Sequence, residues 1–260
     1  MKTELIISGV VFLNDIHFTI IILSYNCESW AKKNVLSAIN QEYDNYDIIY
    51  INDASTDNTG KIVKDTVEEY KGNFKLIDND TNKKALENLY NAVRMAKDKS
   101  IIVALDGDDR LINSKVLSHL SKIYTNKDVW ITAGSYLESV GGRIVSPDVQ
   151  DDYWIGNIRN KRWSFSHLRS FRKELFLKIQ DKDFLEKDGS FYKFTWDRVI
   201  MYPMIEMAGK EHFYPVRRPL YIYNVANPIS VDRVHRYDQL RIESELKQKQ
   251  QYSRIDSLYD

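Results

Sequence analysis

The first half of the chain alternates short apolar runs with amphipathic stretches. Residues 18–23 form an unbroken apolar run, which is typical of a strand buried on both faces. Four later runs repeat this pattern, at residues 47–51, 74–77, 101–105 and 129–133. Apolar positions at helical spacing predict helices between them, at residues 30–41, 59–70, 85–96 and 114–124. This alternation indicates right-handed βαβ units, and therefore an α/β fold with a mainly parallel sheet flanked by helices.

The second half of the chain loses this rhythm. Residues 134–170 are rich in glycine, aromatic and charged residues, which predicts a segment dominated by loops. Beyond it we expect helices at residues 171–179 and 197–208, a strand at 219–225, and a polar helical tail at 237–260. Because no repeat or low-complexity linker divides the chain, the sequence predicts a single domain over residues 1–260.

Apolar residues near the N-terminus raise the question of a membrane anchor. Residues 5–13 and 18–23 are apolar, but Asn14, Asp15 and His17 lie between them, and neither run reaches the roughly 20 residues that span a bilayer. Two short strands explain the pattern better, so we expect no signal peptide and no transmembrane segment. The single cysteine, Cys27, cannot form an internal disulfide, which fits a cytoplasmic location.

Composition sets limits on size and partners. With 260 residues, 43% of them apolar, the chain can bury one substantial core. Its 37 basic and 37 acidic residues cancel, so no overall field favours binding to nucleic acid or to an acidic polymer. The sequence leaves open whether the chain forms a homodimer.

Polar clusters follow three of the predicted strands. The strand at 18–23 runs into residues 24–26 (SYN), the strand at 47–51 into residues 52–57 (NDASTD), and the strand at 101–105 into residues 106–109 (DGDD). The carboxyl ends of parallel strands share one edge of a sheet, and ligands bind at that edge in open α/β folds. We therefore expect the three clusters to form one rim.

The carboxylates in these clusters have two possible uses. Asp57 fits a helix N-cap as well as a ligand contact, and Asp53 fits a cap less well because it directly follows a strand. Asp106, Asp108 and Asp109 repel one another unless a cation lies among them. Asp-x-Asp suits a hard divalent ion, Mn²⁺ or Mg²⁺, with positions left open for phosphate oxygens. The sequence has no His/Cys cluster that would indicate zinc.

Three segments, in this order and spacing, resemble the family 2 glycosyltransferases with the GT-A fold: IIILSYNCESW, YINDASTDNT and IIVALDGDD. The resemblance covers residues 18–135 well. It implies that these residues bind a nucleotide-sugar, that residues 136–236 bind the acceptor, and that residues 237–260 form the helical tail. It also implies a metal-dependent, inverting transfer of a sugar from a UDP-sugar to a hydroxyl of a glycan, protein or lipid acceptor.

The resemblance assigns the nucleotide contacts position by position. Ser24, Tyr25 and Asn26 would pack along the nucleotide, and Glu28 would lie near its base or ribose. Asp53 matches the carboxylate that accepts a hydrogen bond from uracil, a contact that distinguishes uracil from cytosine.

The loops around these positions depart from the family pattern. The family has Asp-Asp-Gly-Ser where this chain has Asn52 and Ala54, so the loop should be less flexible. The family also has Asn-x-Gly followed by a second asparagine, where this chain has Asn82 in place of the glycine and then Asn88. Asparagine tolerates a left-handed turn, so this change is mild. Lys84 would contact the nucleotide or diphosphate, with a solvated lysine as the alternative.

The resemblance also implies a metal set. Asp106 and Gly107 would contact the nucleotide-sugar, with Asp106 in the metal shell and Asp108 coordinating the ion directly. Asp109 would be a ligand through water, or a charge at the N-terminus of the next helix. His235 would complete the metal shell from a C-terminal loop, with a plain surface histidine as the alternative.

A late aspartate matches the family's general base. Asp197 follows Thr195 and Trp196 at the start of a predicted helix, where the family has an aspartate preceded by glutamate. Such a base takes the acceptor proton during in-line attack on the anomeric carbon. The alternative is a first-turn carboxylate that stabilises the helix dipole.

The segment before this helix holds aromatic and basic side chains. An aromatic face suits an acceptor sugar ring, although core packing is the commoner use, and this choice stays open for four residues: Trp154, Trp163, Phe165 and His167. For Arg169 and Arg172 the sequence favours plain surface charge over contact with phosphate or substrate.

Other classes fit the sequence less well. A sugar nucleotidyltransferase should have a Gly-rich loop with Arg and Lys after the first strand, and a dinucleotide-binding dehydrogenase should have Gly-x-Gly-x-x-Gly there. This chain has neither, since Ser24-Tyr25-Asn26 follows the strand. A non-catalytic nucleotide-sugar-binding module would keep the same rim and is the remaining alternative.

Overall fold

The computed structural model describes residues 16–259, so the strand predicted at residues 5–13 lies outside the described part of the chain. Within it, the strands are β1 (Phe18–Ser24), β2 (Tyr46–Asn52), β3 (Asn73–Asp78), β4 (Ile101–Asp106), β5 (Arg110–Leu111), β6 (Ile131–Glu138), β7 (Ile144–Val145), β8 (Arg169–Arg172) and β9 (Phe213–Tyr223). The helices are α1 (Ala31–Ile39), α2 (Thr59–Val67), α3 (Lys84–Met95), α4 (Val116–Tyr124), α5 (Lys173–Leu177), α6 (Trp196–Ala208), α7 (Val231–Val234) and α8 (Arg236–Gln248).

The predicted βαβ rhythm of the first half is confirmed, with element ends shifted by a few residues. Strands β3, β2, β1 and β4 lie side by side and pair in parallel. This four-stranded parallel unit places the C-terminal ends of β1, β2 and β4 on one edge of the sheet.

The second half makes the sheet mixed rather than parallel throughout. The strand order is β3-β2-β1-β4-β8-β6-β9-β5. β8 is antiparallel to both β4 and β6, whereas β6 and β9 are parallel to each other. The antiparallel strand β8 therefore joins the parallel unit to the strands that carry the second half of the chain.

Two predictions for the second half need correction. The helix predicted at residues 171–179 is wrong at its start, because Arg169–Arg172 form β8 and only Lys173–Leu177 are helical. The sequence RSFR conceals this strand, since two of its four residues are charged yet all four are buried. The strand predicted at 219–225 begins earlier, at Phe213.

Alternating side chains of the central strands divide the core into two layers. Ile21 of β1 belongs to the cluster that includes Leu89 of α3 and Met204 of α6. The next side chain, Ile22, belongs to the opposite cluster with Val35 of α1. A strand buried on both faces needs a mostly apolar sequence, and β1 begins FTIIIL, in which the buried Thr19 hydroxyl donates to Ser100 Oγ at 3.3 Å. Pro203 lies within α6, which stays one helix from Trp196 to Ala208.

A buried ion pair ties the C-terminal residues to α6. Arg159 donates from Nε and Nη2 to the two carboxylate oxygens of Glu206, each at 2.6 Å, and both side chains are almost fully buried. The same carboxylate accepts from the backbone N–H of Tyr252 at 3.0 Å. One side chain thus anchors both the segment before β8 and the segment after α8.

Replacing Glu206 with glutamine should strongly destabilise the fold. The substitution keeps the shape but leaves the buried guanidinium of Arg159 without a counter-charge, a loss of about 3–5 kcal/mol. Thermal unfolding measures this loss of stability, because each kcal/mol should lower the melting temperature by roughly 2–4 °C in a domain of this size. Glu211→Gln is the control, because the exposed Glu211–Arg254 pair should contribute less than about 1 kcal/mol. Equal melting temperatures for the two variants would contradict this account of the buried pair.

No helix among residues 16–259 combines the length and the apolar content needed to cross a bilayer.

Candidate functional site

The ends of β1, β2 and β4 form one wall of a pocket of about 570 Å³. Backbone bonds hold the three ends together: Asp53 donates to Ser24 O, and Gly107 donates to Leu23 O, both at 2.8 Å. The structure therefore brings the three polar clusters to one rim, as the sequence predicts. Among the predicted site residues, the pocket lining includes Ser24, Tyr25, Asn26, Asp53, Lys84, Asn88, Asp106, Asp108, Asp197 and His235.

The turn after β1 is fixed by its own polar side chains. Asn26 is in the left-handed conformation (φ 50°), and its side-chain oxygen accepts from the backbone of Thr56 at 2.9 Å. Glu28 does not line the pocket; its carboxylate accepts from the backbone and side-chain N–H groups of Asn58 at 3.0 Å. Glu28 thus joins the first rim loop to the second, and its predicted place near the base or ribose stays a prediction.

Asp53 organises the loop that leads into α3. Its carboxylate is buried and accepts three hydrogen bonds, from Asn79 Nδ2 at 2.8 Å and from the backbone N–H groups of Lys83 and Lys84 at 2.9 Å. The Asn79 amide also donates to Asn88 Oδ1 at 2.8 Å. Asp53 therefore already holds a rigid loop, and its predicted contact with uracil would use the remaining acceptor capacity of the carboxylate.

Two further residues of the rim loops are left-handed, and one of them is not the residue expected. Ala54 adopts φ 57°, at the position where the family has glycine. In the loop before α3 the left-handed residue is Lys84 (φ 69°), so the expectation that Asn82 supplies that turn is wrong. Gly107 has a steric role, because a Cβ atom there would lie 2.5 Å from Cβ of Ser24.

The three carboxylates at the end of β4 contact polar groups from the end of β9 and the loop after it. Asp106 Oδ2 lies 3.4 Å from the hydroxyl of Tyr221. Asp108 Oδ2 accepts from Asn227 Nδ2 at 2.6 Å. Asp109 accepts from the Tyr221 hydroxyl and from the backbone N–H of Asn224, both at 2.6 Å. The end of β9 and the loop after it therefore support the acidic turn, which sequence reasoning missed.

Burial of this turn makes its negative charges unfavourable. Burial, with repulsion from Asp108 and Asp197, raises the pKa of Asp106 to about 7. Burial also raises the pKa of Asp108, and burial together with Asp108 and Asp106 raises that of Asp109 well above its ordinary value. The predicted alternative for Asp109, a charge at the N-terminus of the next helix, is wrong because Asp109 is buried and α4 begins at Val116.

The acidic turn fits a divalent cation. The hydrogen bonds to Asp106 and Asp108 use their Oδ2 atoms, and carboxylate oxygens are the donors that Mn²⁺ and Mg²⁺ prefer. Ligand atoms of Asp106, Asp109 and His167 also lie within 4.8 Å of one another. A cation would offset the charge that burial otherwise disfavours.

The histidine next to the acidic turn is His167, which the sequence placed among possible acceptor contacts. Its Nδ1 lies 3.8 Å from Asp106 Oδ2, and its ring stacks on Tyr221 with centroids 4.6 Å apart. Burial and the neighbouring Arg169 lower the pKa of His167 well below its usual value, so the ring is neutral. His235 lies elsewhere in the pocket, stacked on Phe194, and its role as a metal ligand stays a prediction.

Other aromatic residues of this segment belong to the core. Phe165 is fully buried, with its ring centroid 5.3 Å from that of Tyr153 and 5.6 Å from that of Trp163. Trp154 packs in the same cluster. Core packing is therefore the use that the structure gives to Trp154, Trp163 and Phe165.

Asp197 lies in the first turn of α6 and lines the same pocket as the acidic turn. Arg169 Nη2 donates to Asp197 Oδ2 at 2.8 Å. Arg169 is only 4% exposed and Arg172 9%, so the expectation that both are plain surface charges is wrong. Arg169 lines the pocket, whereas Arg172 donates to the backbone carbonyls of Val129 and Tyr124.

Known proteins share the sequence pattern of this chain. The family model described as Glycosyl transferase family 2 matches residues 19–187. EpsE of Bacillus subtilis (strain 168) is 38% identical over 85 residues, which is 33% of this chain and 30% of EpsE. The Escherichia coli protein WfaP, a UDP-Glc:alpha-D-GlcNAc-diphosphoundecaprenol beta-1,3-glucosyltransferase, is 31% identical over 120 residues, which is 46% of each chain. The chain thus spans less than half the length of both relatives in these matches.

Solved structures share its fold. TarS 1-349 of S. aureus in complex with UDP matches 89% of this chain and 65% of that chain, with a TM-score of 0.63 and 18% identity. The mannosyltransferase PcManGT from Pyrobaculum calidifontis, in complex with GDP-Man and Mn²⁺, matches 91% of this chain and 66% of that chain, with a TM-score of 0.62 and 17% identity. The predicted GT-A fold is confirmed.

Proposed function

Because this chain belongs to glycosyl transferase family 2, we propose that it transfers a sugar from a UDP-sugar to an acceptor hydroxyl, with a divalent cation and with inversion. One observation carries the proposal. Carboxylates from the ends of β2 and β4 and from the first turn of α6 face a single pocket, although Asp53, Asp106 and Asp197 are far apart in sequence.

The donor nucleotide would lie along the rim loops. Tyr25 is 42% exposed in the pocket wall, with Lys84 Nζ 5.8 Å from its ring centroid, so an aromatic face and a cation are available to a base and a phosphate. Asp53, which follows β2, and Asn88, in α3, would read the base. Two neighbours support a uridine nucleotide, since WfaP is named for UDP-Glc and TarS is bound to UDP. PcManGT, which is bound to GDP-Man, makes guanosine the alternative to test.

Asp106 and Asp108 would hold the cation, Mn²⁺ or Mg²⁺. When bound, such an ion neutralises the negative charge of a departing diphosphate. Asn227 fixes Asp108, and Tyr221 contacts Asp106, so the chain itself orients these carboxylates. The bound Mn²⁺ of PcManGT supports this assignment.

Asp197 would act as the general base for the acceptor hydroxyl. It lines the same pocket as the rim loops, and its side chain remains 22% exposed. A carboxylate in this place accepts the hydroxyl proton as the oxygen attacks the anomeric carbon, on the face opposite the departing diphosphate. Such attack inverts the configuration at that carbon.

Binding and turnover assays test this function. We expect UDP with Mn²⁺ to stabilise the protein by roughly 3 kcal/mol at a hundredfold excess over its Kd, which a melting-temperature screen detects. We also expect slow release of UDP from one of UDP-glucose, UDP-galactose or UDP-N-acetylglucosamine in Mn²⁺. GDP-mannose tests the guanosine alternative. Binding of UDP without turnover of any donor would favour the non-catalytic binding module, and preference for GDP-mannose would overturn the assignment of uridine.

A further inference from the structure

Arg169 lines the pocket from a fixed place in the sheet. It is the first residue of β8 and pairs with Ala104 of β4, two residues before Asp106. Its side chain is 5% exposed, yet it lines the pocket between the acidic turn and α6. The backbone of Arg169 is therefore set by the same strand that carries the acidic turn.

Three separate bonds fix the guanidinium group. Nε donates to Phe165 O at 3.2 Å, Nη1 lies 3.2 Å from Nδ1 of His167, and Nη2 donates to Asp197 Oδ2 at 2.8 Å. The Trp196 ring lies 5.3 Å from the guanidinium carbon. Because the guanidinium is a rigid planar fork, the first two contacts determine where the third N–H group points.

The helix that carries Asp197 does not provide this constraint. Thr195, at the N-cap of α6, is left-handed (φ 60°) and its side chain makes no capping bond. In the described part of the chain, the Asp197 carboxylate has its hydrogen bond with Arg169, a partner outside the helix.

Arg172 shows what a purely structural arginine does in the same strand. It is also buried, three residues further along β8, but it donates to the carbonyls of Val129 and Tyr124 and does not line the pocket. Arg169 instead places a positive charge between two carboxylates that face the pocket, Asp106 and Asp197. The contacts of Arg169 therefore indicate a role in the site, whereas those of Arg172 indicate a role in folding.

We infer that Arg169 is a positioning residue that holds the Asp197 carboxylate at the angle needed to receive the acceptor proton. This inference rests on the proposed function. Catalytic groups must be held close to their productive geometry, and a displacement of about 1 Å can lower the rate about 100-fold. The bond to Arg169 uses Oδ2 of Asp197, so the arrangement assigns Oδ1 to the acceptor.

The substitution Arg169→Met tests the inference with the UDP-sugar on which the wild-type protein is most active. We expect kcat for UDP release to fall about 100-fold while the Kd of UDP in Mn²⁺ stays within about twofold, because donor binding does not need the Asp197 angle. Guanidinium ion at a non-denaturing concentration should restore part of the rate. Arg169→Lys keeps the positive charge but loses the planar guanidinium, so its kcat should lie between those of the wild type and Arg169→Met.

Arg172→Met is the matched control, with the same change at a buried position of the same strand. It should lower the melting temperature but leave kcat of the folded protein unchanged. Unchanged kcat in folded Arg169→Met, or in Arg169→Lys if the first variant does not fold, would overturn the inference. So would parallel loss of UDP binding and turnover, which would place the guanidinium in the donor site. A wild-type protein that turns over no donor would instead reject the proposed function.

Discussion

Replacing Asp108 with alanine is expected to abolish metal-dependent binding of UDP. The side chain offers a hard oxygen ligand in a buried turn, and its loss leaves Asp106 without the second carboxylate of the proposed pair. We expect the affinity for UDP in Mn²⁺ to fall roughly 100-fold or more, which corresponds to about 3 kcal/mol. Calorimetric titration with UDP, with Mn²⁺ and with EDTA, measures the effect. Wild-type affinity in EDTA should match that of the variant in Mn²⁺.

Two further variants test whether the effect of Asp108→Ala on UDP binding comes from the lost metal ligand or from a disturbed fold. Asn227→Ala removes the hydrogen bond to Asp108 but keeps the carboxylate, so it should weaken UDP binding in Mn²⁺ by about 10-fold. Asp65→Ala removes an exposed carboxylate of α2 that pairs with Lys61, and should not change UDP binding. If Asp108→Ala bound UDP and Mn²⁺ as tightly as the wild type, Asp108 would not be a metal ligand.

The rim of the pocket could be predicted from sequence because it depends on local patterns. Continuous apolar runs identify β1, β2 and β4 as buried parallel strands, and the residues that follow such strands must meet at one edge. No knowledge of side-chain contacts was needed to bring Asp53 and Asp106 together. This reasoning does not identify Asp197, which the sequence indicates only through the resemblance to a family.

The second half of the site could not be predicted, because its partners are set by tertiary contacts. β8 has a polar sequence, and its arginines are buried through bonds to residues as distant as Val129 and Asp197. Hydrophobic periodicity cannot reveal a strand of this kind. Alternation along β9 does show that Tyr221 and Tyr223 share a face, but not that this face meets Asp109.

Left-handed residues show a second limit of sequence reasoning. Lys84 and Ala54 adopt positive φ although neither residue favours it, whereas Asn82, which tolerates it better, does not. The hydrogen bonds that the backbone N–H groups of Lys83 and Lys84 donate to the Asp53 carboxylate override local preference. Residue propensity predicts a turn before α3, but the bonds to the buried Asp53 carboxylate determine which residue of the turn is left-handed.

The substitution Asp197→Asn is expected to stop transfer without weakening donor binding. Asparagine has the same shape, and its oxygen can still accept from Arg169, but it cannot take up a proton from the acceptor. Loss of a general base lowers kcat by about 10²–10⁴-fold. We expect UDP release from the preferred donor to fall in this range, while calorimetric Kd values for UDP in Mn²⁺ stay within about twofold of wild type.

A matched variant addresses the alternative that Asp197 only stabilises the dipole of α6. Asp238 occupies the first turn of α8, so Asp238→Asn removes the same kind of charge from another helix. If Asp197 had only this role, both substitutions would lower stability by about 0.3–1 kcal/mol and leave kcat alone. Asp197→Glu, which moves the carboxylate by one methylene, should retain part of the rate, because a base of similar strength remains but its position is wrong. Undiminished kcat in folded Asp197→Asn would remove Asp197 as the base, and the acceptor proton would then have to leave by another group in the pocket.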